Sequence, residues 1–450
     1  MSDGHQRYRY RLNIPVKDST VTPPSYYKAW YELRRDAVLI DEGQLVGIET
    51  PKEELIKRVL GFESELQAIA VVGMGGLGKT TLVSKVYHDD ELRKEFQHHV
   101  WITVSQSFKL DEILRDIIQQ LFDETKQPLP HGADSTDSSK LKRIIVDFLL
   151  GKRYLIVLDD VWHMDGWDAL KYAFPESNCG SRLMLTTRSS EVASTCTNES
   201  GGMIYDLKPL SFEESWTLFC RKTFLEKPCP TRLQKICQNI LKRCEGLPLA
   251  IVAIGGMLAM KDKIRIDEWE MVERSLRTEL EGNDKLSGMK SILSLSFNDL
   301  PYHLKYCFLY LSIFPEDYLI ERTKLIRLWI AEGFVLVKES RTVEEVGEYY
   351  FNELVNRSLI QVIEKYDDGR IRRCRVHDLL REIILRKSLD QNFMAITSEE
   401  NRSLPERVRR LSAHRTLENI HPDHNFSRLR SLFLFGGGGS FCFCVFLICK

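Results

Sequence analysis

At 450 residues the chain has room for about three domains, and 43% hydrophobic with 28% charged residues is the composition of a water-soluble globular protein. A formal net charge of −1 removes the electrostatic case for nucleic acid or an acidic membrane as principal partner. Eleven cysteines without a CxxC pair or metal-ligand spacing, behind a polar, basic start with no apolar stretch, argue against a signal peptide and for a reducing compartment.

Residues 1–45 read as a leader or linker, basic and tyrosine-rich, with Pro23 and Pro24 breaking any helix. Val46 to Glu49 then leads through a helical pattern at Leu55, Ile56, Val59 and Leu60 to the apolar run Ala68–Val72, expected to be a strand. That run feeds Gly73, Gly75, Gly76, Gly78, Lys79, Thr80 and Thr81, which satisfy G-x-x-x-x-G-K-[ST]. The glycines let successive N–H groups point at phosphate oxygens. Lys79 reaches the outer phosphates, and the Thr80 hydroxyl suits a phosphate-bound magnesium. Apolar side chains at Leu82, Val83, Val86 and Tyr87 follow at helical spacing, which aims a helix N-terminus at the anion. Gly73, Gly75 and Gly78 also spell the dinucleotide fingerprint, but His98 and His99 stand where its acidic ribose ligand belongs.

Val100–Val104 is expected to be a strand covered on both faces, and Leu110, Ile113, Leu114, Ile117, Ile118 and Leu121 an amphipathic helix. A polar stretch, 123–139, reads as a surface loop before a helix over 141–150. Tyr154–Asp160 is a buried-type strand ending in two carboxylates, at the end of the strand where ligands collect in an open α/β sheet. Asp159 is placed to hold a magnesium shell, and Asp160 to orient or deprotonate an attacking water. Leu183–Leu185 is a further strand that ends in Arg188, whose planar fork suits a γ-phosphate.

Beyond Leu207 helices dominate. Ser211 and Glu214 form a capping-box pattern, and Gly246 with Pro248 makes a turn before an apolar helix expected over 251–260. From Leu293 the order is helices and then a hairpin, with strands at 359–363 and 371–376 around Asp367-Asp368-Gly369. This is the pattern of a winged helix. Its would-be recognition segment, 321–334, has Leu325, Ile326, Leu328, Trp329 and Ile330 among few bases, so it is expected to pack rather than read DNA. Leu429–Leu434 has the leucine spacing of a repeat strand, and the cysteine-rich run after Gly436 is too short and broken to span a membrane.

In this order the motifs resemble those of the NB-ARC nucleotide-switch proteins, most closely the plant coiled-coil NLR immune receptors. Gly73–Thr81 is similar to the family's P-loop, Phe96–Phe108 to its second-strand motif, Leu155–Trp162 to its Walker B and Gly180–Arg188 to its sensor strand. Tyr205–Phe219 resembles the motif opening the helical domain, Gly246–Ala250 the GLPLA segment, Cys307–Asp317 the CFLYLSIFPED motif, and Val376-His377-Asp378 the MHD motif, with valine for the usual methionine.

The resemblance implies an α/β P-loop NTPase of the STAND type over 46–207, an all-helical domain over 208–290, a winged helix over 291–396, and a stub of leucine-rich repeats in 397–450. It implies an ADP/ATP switch with magnesium and at most slow hydrolysis, with ADP holding the resting state. Pro248 is expected near the adenine and ribose, the Val46 backbone at the adenine, and His377 at the β-phosphate. Lys79 and Asp160 are the expected catalytic pair, Thr80 and Asp159 the metal ligands. Expected partners are other receptor domains or NLR proteins, a pathogen effector or a guarded host protein. The expected compartment is the cytoplasm, with peripheral association at the plasma membrane as a second case. Set against the family, the coiled-coil domain and most of the repeat array are expected to be lacking. The alternative function is therefore an adaptor that pairs with a full-length receptor.

Overall fold

Five apolar runs pair into one parallel sheet: β1 (Gln67–Val72), β2 (His98–Thr103), β3 (Tyr154–Val161), β4 (Arg182–Thr187) and β5 (Met203–Asp206), in the spatial order β2-β3-β4-β1-β5. The computed structural model describes residues 45–61, 63–104, 109–135, 137–225, 227–279, 285–336, 341–397, 409–414, 429–435 and 441–446. Most of the expected leader therefore lies outside the described residues.

The inner strands β1, β3 and β4 are buried almost end to end, as parallel strands with covered faces must be. Separate apolar clusters fill the two faces, one around Ile117, Ile145 and Ile156, the other around Val71, Val86 and Val157. The expectation for the second strand is corrected. It begins at His98, lies at the sheet edge, and buries only His98, Val100 and Ile102 in alternation. An edge strand has one neighbour, so its free backbone groups need other partners. The helix Leu110–Glu124 supplies them: Trp101 N donates to Gln120 Oε1 at 2.8 Å, and Gln120 Nε2 donates to Trp101 O at 2.9 Å.

After β5 the Ser211 capping box is formed, with Glu214 N donating to Ser211 Oγ at 3.2 Å and Ser211 N donating to Glu214 Oε2 at 2.8 Å. Such a cap contributes about 1 kcal/mol. Helices Phe212–Phe224, Thr231–Arg243, Pro248–Ala259, Ile266–Glu279 and Lys285–Asn298 follow. The apolar helix begins at Pro248, earlier than expected, because proline suits the first helical position, where no N–H is required. Gly246, at φ +72°, is needed at the preceding turn: a Cβ there would stand 2.4 Å from Leu210 O.

The winged helix is built from Tyr302–Tyr310, Arg322–Ala331 and Val343–Asn356 with a three-stranded sheet in the order β6-β8-β7, where β6 is Ile320–Glu321, β7 Gln361–Lys365 and β8 Ile371–Arg375. Leu325, Ile326, Leu328 and Trp329 are buried, so the would-be recognition helix has its apolar face inside the protein. Beyond it, β9 (Ala395–Thr397), β10 (Arg410–His414) and β11 (Ser431–Phe435) pair in parallel, and β12 (Phe441–Phe446) joins β11 antiparallel. The sequence reading anticipated neither β9 nor β12. Arg410 Nε lies 2.8 Å from Glu332 Oε2, both side chains being buried, and Arg410 also lies over the Phe334 and Phe393 rings.

One apolar cluster runs from Leu77 in the glycine-rich loop through Leu249, Trp269, Leu325 and Leu354 to Phe433 and Phe435. The helical segment, the winged helix and the last strands therefore share a core. Their backbones meet at Gly256, where a Cβ would lie 2.7 Å from the carbonyl carbon of Arg357. Arg357 and Lys261 converge on Asp299 beside this contact, at 3.1 and 2.7 Å. Gly256→Ala is expected to destabilise the protein by roughly 1–3 kcal/mol through overpacking. A lowered urea midpoint at unchanged slope would report this, and an unchanged midpoint would show that the two backbones separate without cost.

Candidate functional site

The chain leaves β1 into the loop 73–78 and re-enters helix at Lys79–Tyr87. Gly76 and Gly78 take φ of +77° and +95°, a region that glycine enters without strain. The loop is covered on one side. A Cβ on Gly75 would lie 3.1 Å from Leu379 Cδ1, and one on Gly76 2.9 Å from Leu249 Cβ and 3.1 Å from Met289 Sδ. At Gly78 nothing lies within 4 Å, so the mouth of the loop is open there. Leu249 N also donates to Gly76 O at 3.2 Å, tying the Gly246–Ala250 segment directly to the loop.

Lys79 folds back over this loop, with Nζ donating to Gly73 O at 2.8 Å and Met74 O at 3.0 Å. Burial lowers its pKa to about 8, the Arg188 charge adds to the shift, and Asp160, Asp159 and Asp378 oppose it. Thr80 Oγ1 donates to Asp159 Oδ1 at 3.0 Å, and Thr186 Oγ1 donates to the same oxygen at 2.6 Å. Burial raises the Asp159 pKa despite both hydroxyls. Magnesium ligands at about 2.1 Å in neighbouring octahedral positions stand about 3 Å apart. The Thr80 and Asp159 oxygens have that separation, so the donor set fits the ion.

Between Leu158 and Val161 the pairing of β3 with β4 shifts register, and Asp160 sits at φ +57°. The bulge re-aims its side chain, as bulges beside binding sites do. Asp160 N donates to Thr186 Oγ1 at 2.8 Å, and Trp162 Nε1 donates to Asp160 Oδ2 at 2.9 Å. Burial pushes the Asp160 pKa up to about 7, against the pull of Arg188. Arg188 Nε is 3.7 Å from Asp160 Oδ1, its Nη2 is 3.6 Å from Asp378 Oδ2, and its guanidinium lies 4.3 Å from the Trp162 ring centroid. The strand-end arginine thus faces a carboxylate of the sheet and one of the winged helix.

His377 caps the helix Asp378–Asp390, its Nδ1 accepting from Leu379 N at 3.3 Å. Burial, then Arg375 and Arg188, lower its pKa to about 3, so the ring is neutral at physiological pH. Arg375 Nη1 lies 3.5 Å from Asp317 Oδ1, and Arg381 donates to Phe314 O through Nε and Nη2.

Lys79, Thr80, Asp159, Asp160, Arg188 and His377 therefore converge, with the glycines, around one end of the sheet. Thr81 is half-buried in the first turn of the helix. Val46 packs on the shared core, beside Gly47 at φ +71°, and Arg221 Nη1 donates to the preceding carbonyl, Leu45 O, at 3.3 Å. Pro248 opens the helix whose next residue, Leu249, bonds to the loop. The sequence reading did not assign Thr186, Trp162, Glu316, Asp317 or Asp378 to the site. All five stood inside motifs that were read, Trp162 closing the Walker B segment and Glu316 and Asp317 closing CFLYLSIFPED, but none was given a role there.

The NB-ARC domain family matches residues 48–229, and the disease resistance protein winged helix domain family matches 313–384. Disease resistance protein RPM1 of Arabidopsis thaliana is 37% identical over 407 residues, covering 89% of this chain and 43% of that protein. The chain belongs to the NB-ARC disease-resistance protein family. RPP13 and RPP8 of the same plant are each 36% identical, over 82% and 85% of this chain and 43% and 42% of their own lengths. The chain spans less than half the length of these relatives. Among solved structures, a signal transduction ATPase with a tetratricopeptide repeat sensor from Pyrococcus horikoshii aligns over 77% of this chain and 43% of its own at 17% identity, with a TM-score of 0.48. Among the described residues no helix is long and apolar enough to cross a membrane.

The NB-ARC site carries a pH signature outside the loop itself. Burial, with Asp378 and Asp317 nearby, raises the Glu316 pKa from 4.5 to about 7, Arg381 opposing. The native state thus binds this proton more tightly than the unfolded chain. Its cost is absent below about pH 4.5, grows as pH rises to 7, and is then constant. Glu316→Gln is expected to stabilise the protein by up to about 3 kcal/mol at pH 8 and by little at pH 4.5. Urea unfolding at both values checks this, and a gain independent of pH would contradict it.

Proposed function

We propose that this chain is the nucleotide switch of a plant immune receptor, resting with ADP and activated by exchange for ATP. The observation that carries the reading is the position of Arg188, which faces Asp160 at the end of the sheet and Asp378 in the winged helix at 3.7 and 3.6 Å. A group that answers to a γ-phosphate and to the winged helix can couple the two. Both carboxylates compete with a phosphate for one guanidinium, so an anion at Arg188 weakens the hold on Asp378.

In this reading the loop amides, Lys79 and the N-terminus of its helix take the phosphates. Lys79 exchanges its bonds to Gly73 O and Met74 O for phosphate oxygens. Thr80 and Asp159 would hold a magnesium ion, which would supply positive charge against the phosphates, with Asp159 binding it in its ionised form. Val46 and Pro248 lie on the base side. Asp160, drawn towards neutral pKa by burial, positions water for slow hydrolysis. His377 brings an uncharged ring from the winged helix to the β-phosphate side.

A ligand bound equally in open and closed states shifts nothing. The contacts that differ between states are those from the winged helix, His377 and Asp378, so they carry the preference for ADP when closed. Signalling in defence, and partners such as effectors, guarded host proteins or other receptors, belong to the same proposal. The matched relatives are disease-resistance proteins by name.

The test is to denature the purified protein and identify the released nucleotide by chromatography. Near-stoichiometric ADP is expected, lost in Lys79→Arg and shifted at least about fivefold towards ATP in His377→Ala, the lower end of ordinary coupling energies. A folded wild type that releases no nucleotide would overturn the switch.

A further inference from the structure

The helical segment carries a depression open to solvent, of about 570 Å³, whose lining residue Arg221 also donates to Leu45 O. Trp216, Cys220, Arg221, Lys227, Cys229 and Gln234 line it with a threonine and a proline. Its described lining residues therefore include two cations and two thiols, and no carboxylate side chain. Beneath it lies a third thiol. Cys237, on the helix Thr231–Arg243, is fully buried, and its Sγ is 4.0 Å from the Sγ of half-buried Cys229. Cys229 sits between Pro228 and Pro230 in the short stretch before that helix.

We propose that this pocket is a thiol–disulfide exchange site for an anionic low-molecular-weight disulfide of the glutathione type, with Cys229 as the entry thiol and Cys237 as the resolving thiol. Arg221 and Lys227 attract the ligand's carboxylates, and Trp216 provides an apolar wall. Cys237 has no path to solvent of its own, so oxidation reaches it only through Cys229.

The chemistry is two exchanges. The Cys229 thiolate attacks one sulfur of the disulfide, forming a mixed disulfide and releasing one thiolate, which takes up the proton that Cys229 lost. The Cys237 thiolate then attacks the Cys229 sulfur, forming the internal disulfide and releasing the second thiolate. Two protein thiols are oxidised and one small disulfide is reduced to two thiols. The sulfurs must close from 4.0 Å to about 2.05 Å, a movement the stretch carrying Cys229 can make without unwinding the helix. Burial raises the pKa of all three thiols, that of Cys220 to about 11. The exchange is therefore slow at neutral pH and accelerates as pH rises.

The full-length chain, incubated with oxidised glutathione at pH 7 and pH 8.5 and mapped by peptide mass spectrometry, tests this. A Cys229–Cys237 bridge is expected, forming faster at the higher pH. Cys237→Ser should instead accumulate one glutathionyl group on Cys229. Lys227→Gln should slow the reaction about threefold with oxidised glutathione and leave the rate with neutral hydroxyethyl disulfide unchanged. Modification of half-buried Cys179 with Cys229 untouched would overturn the proposal. Equal slowing by Lys227→Gln with both reagents would overturn the part given to charge.

Discussion

Two carboxylates taken out of water at the end of β3 are the constraint around which this molecule is arranged. Ionised Asp159 and Asp160 are costly to bury unless neighbours compensate them. The compensation comes from two elements at once: Lys79 and Thr80 from the start of the helix after the glycine-rich loop, and Thr186 and Arg188 from β4 and its end. Each partner pins one element to the next. Burial still wins at both aspartates, whose pKa values stay raised, so the site is poised to gain from a bound cation.

The second constraint is steric. Glycines at 75 and 76 leave no side chain on the covered side of the loop, and Leu249, Met289 and Leu379 occupy that space from the helical segment and the winged helix. The loop is thus read from outside by two parts of the chain distant in sequence. Those two parts share one apolar core, which reaches the loop at Leu77. A shift of the winged helix must therefore disturb packing around Leu379 and the Arg188–Asp378 pair together. Surface pairs elsewhere, such as Arg143 with Asp147 at 3.9 Å, contribute about 0–1 kcal/mol and specify little.

Legibility in the sequence followed how local each signal is. The glycine-rich loop, the strand ending in Asp159-Asp160 and the Ser211 capping box depend on residues within a few positions, and each was readable. The hairpin around Gly369 and the packing character of 322–331 were equally local. The edge position of β2 was not, because an apolar run such as Val100–Val104 reads alike in a covered and an edge strand. β9, of three residues, and the antiparallel return of β12 are pairings that short apolar runs cannot announce.

By itself, then, the sequence determined the kind of site: phosphate-binding backbone, a lysine, a hydroxyl, paired acids and a strand-end arginine, in an order that carries the family. Only the tertiary structure decided what these groups do to one another. It put Asp378 and Arg188 within 3.6 Å across 190 residues of chain, turned Asp160 out of register by a bulge, and drew Glu316 and Asp317 into the field of the site. The physical reason is the range of the forces involved. Turn and capping chemistry acts over a few residues and is written locally, whereas desolvation and charge coupling depend on distances through space that the shared core alone sets.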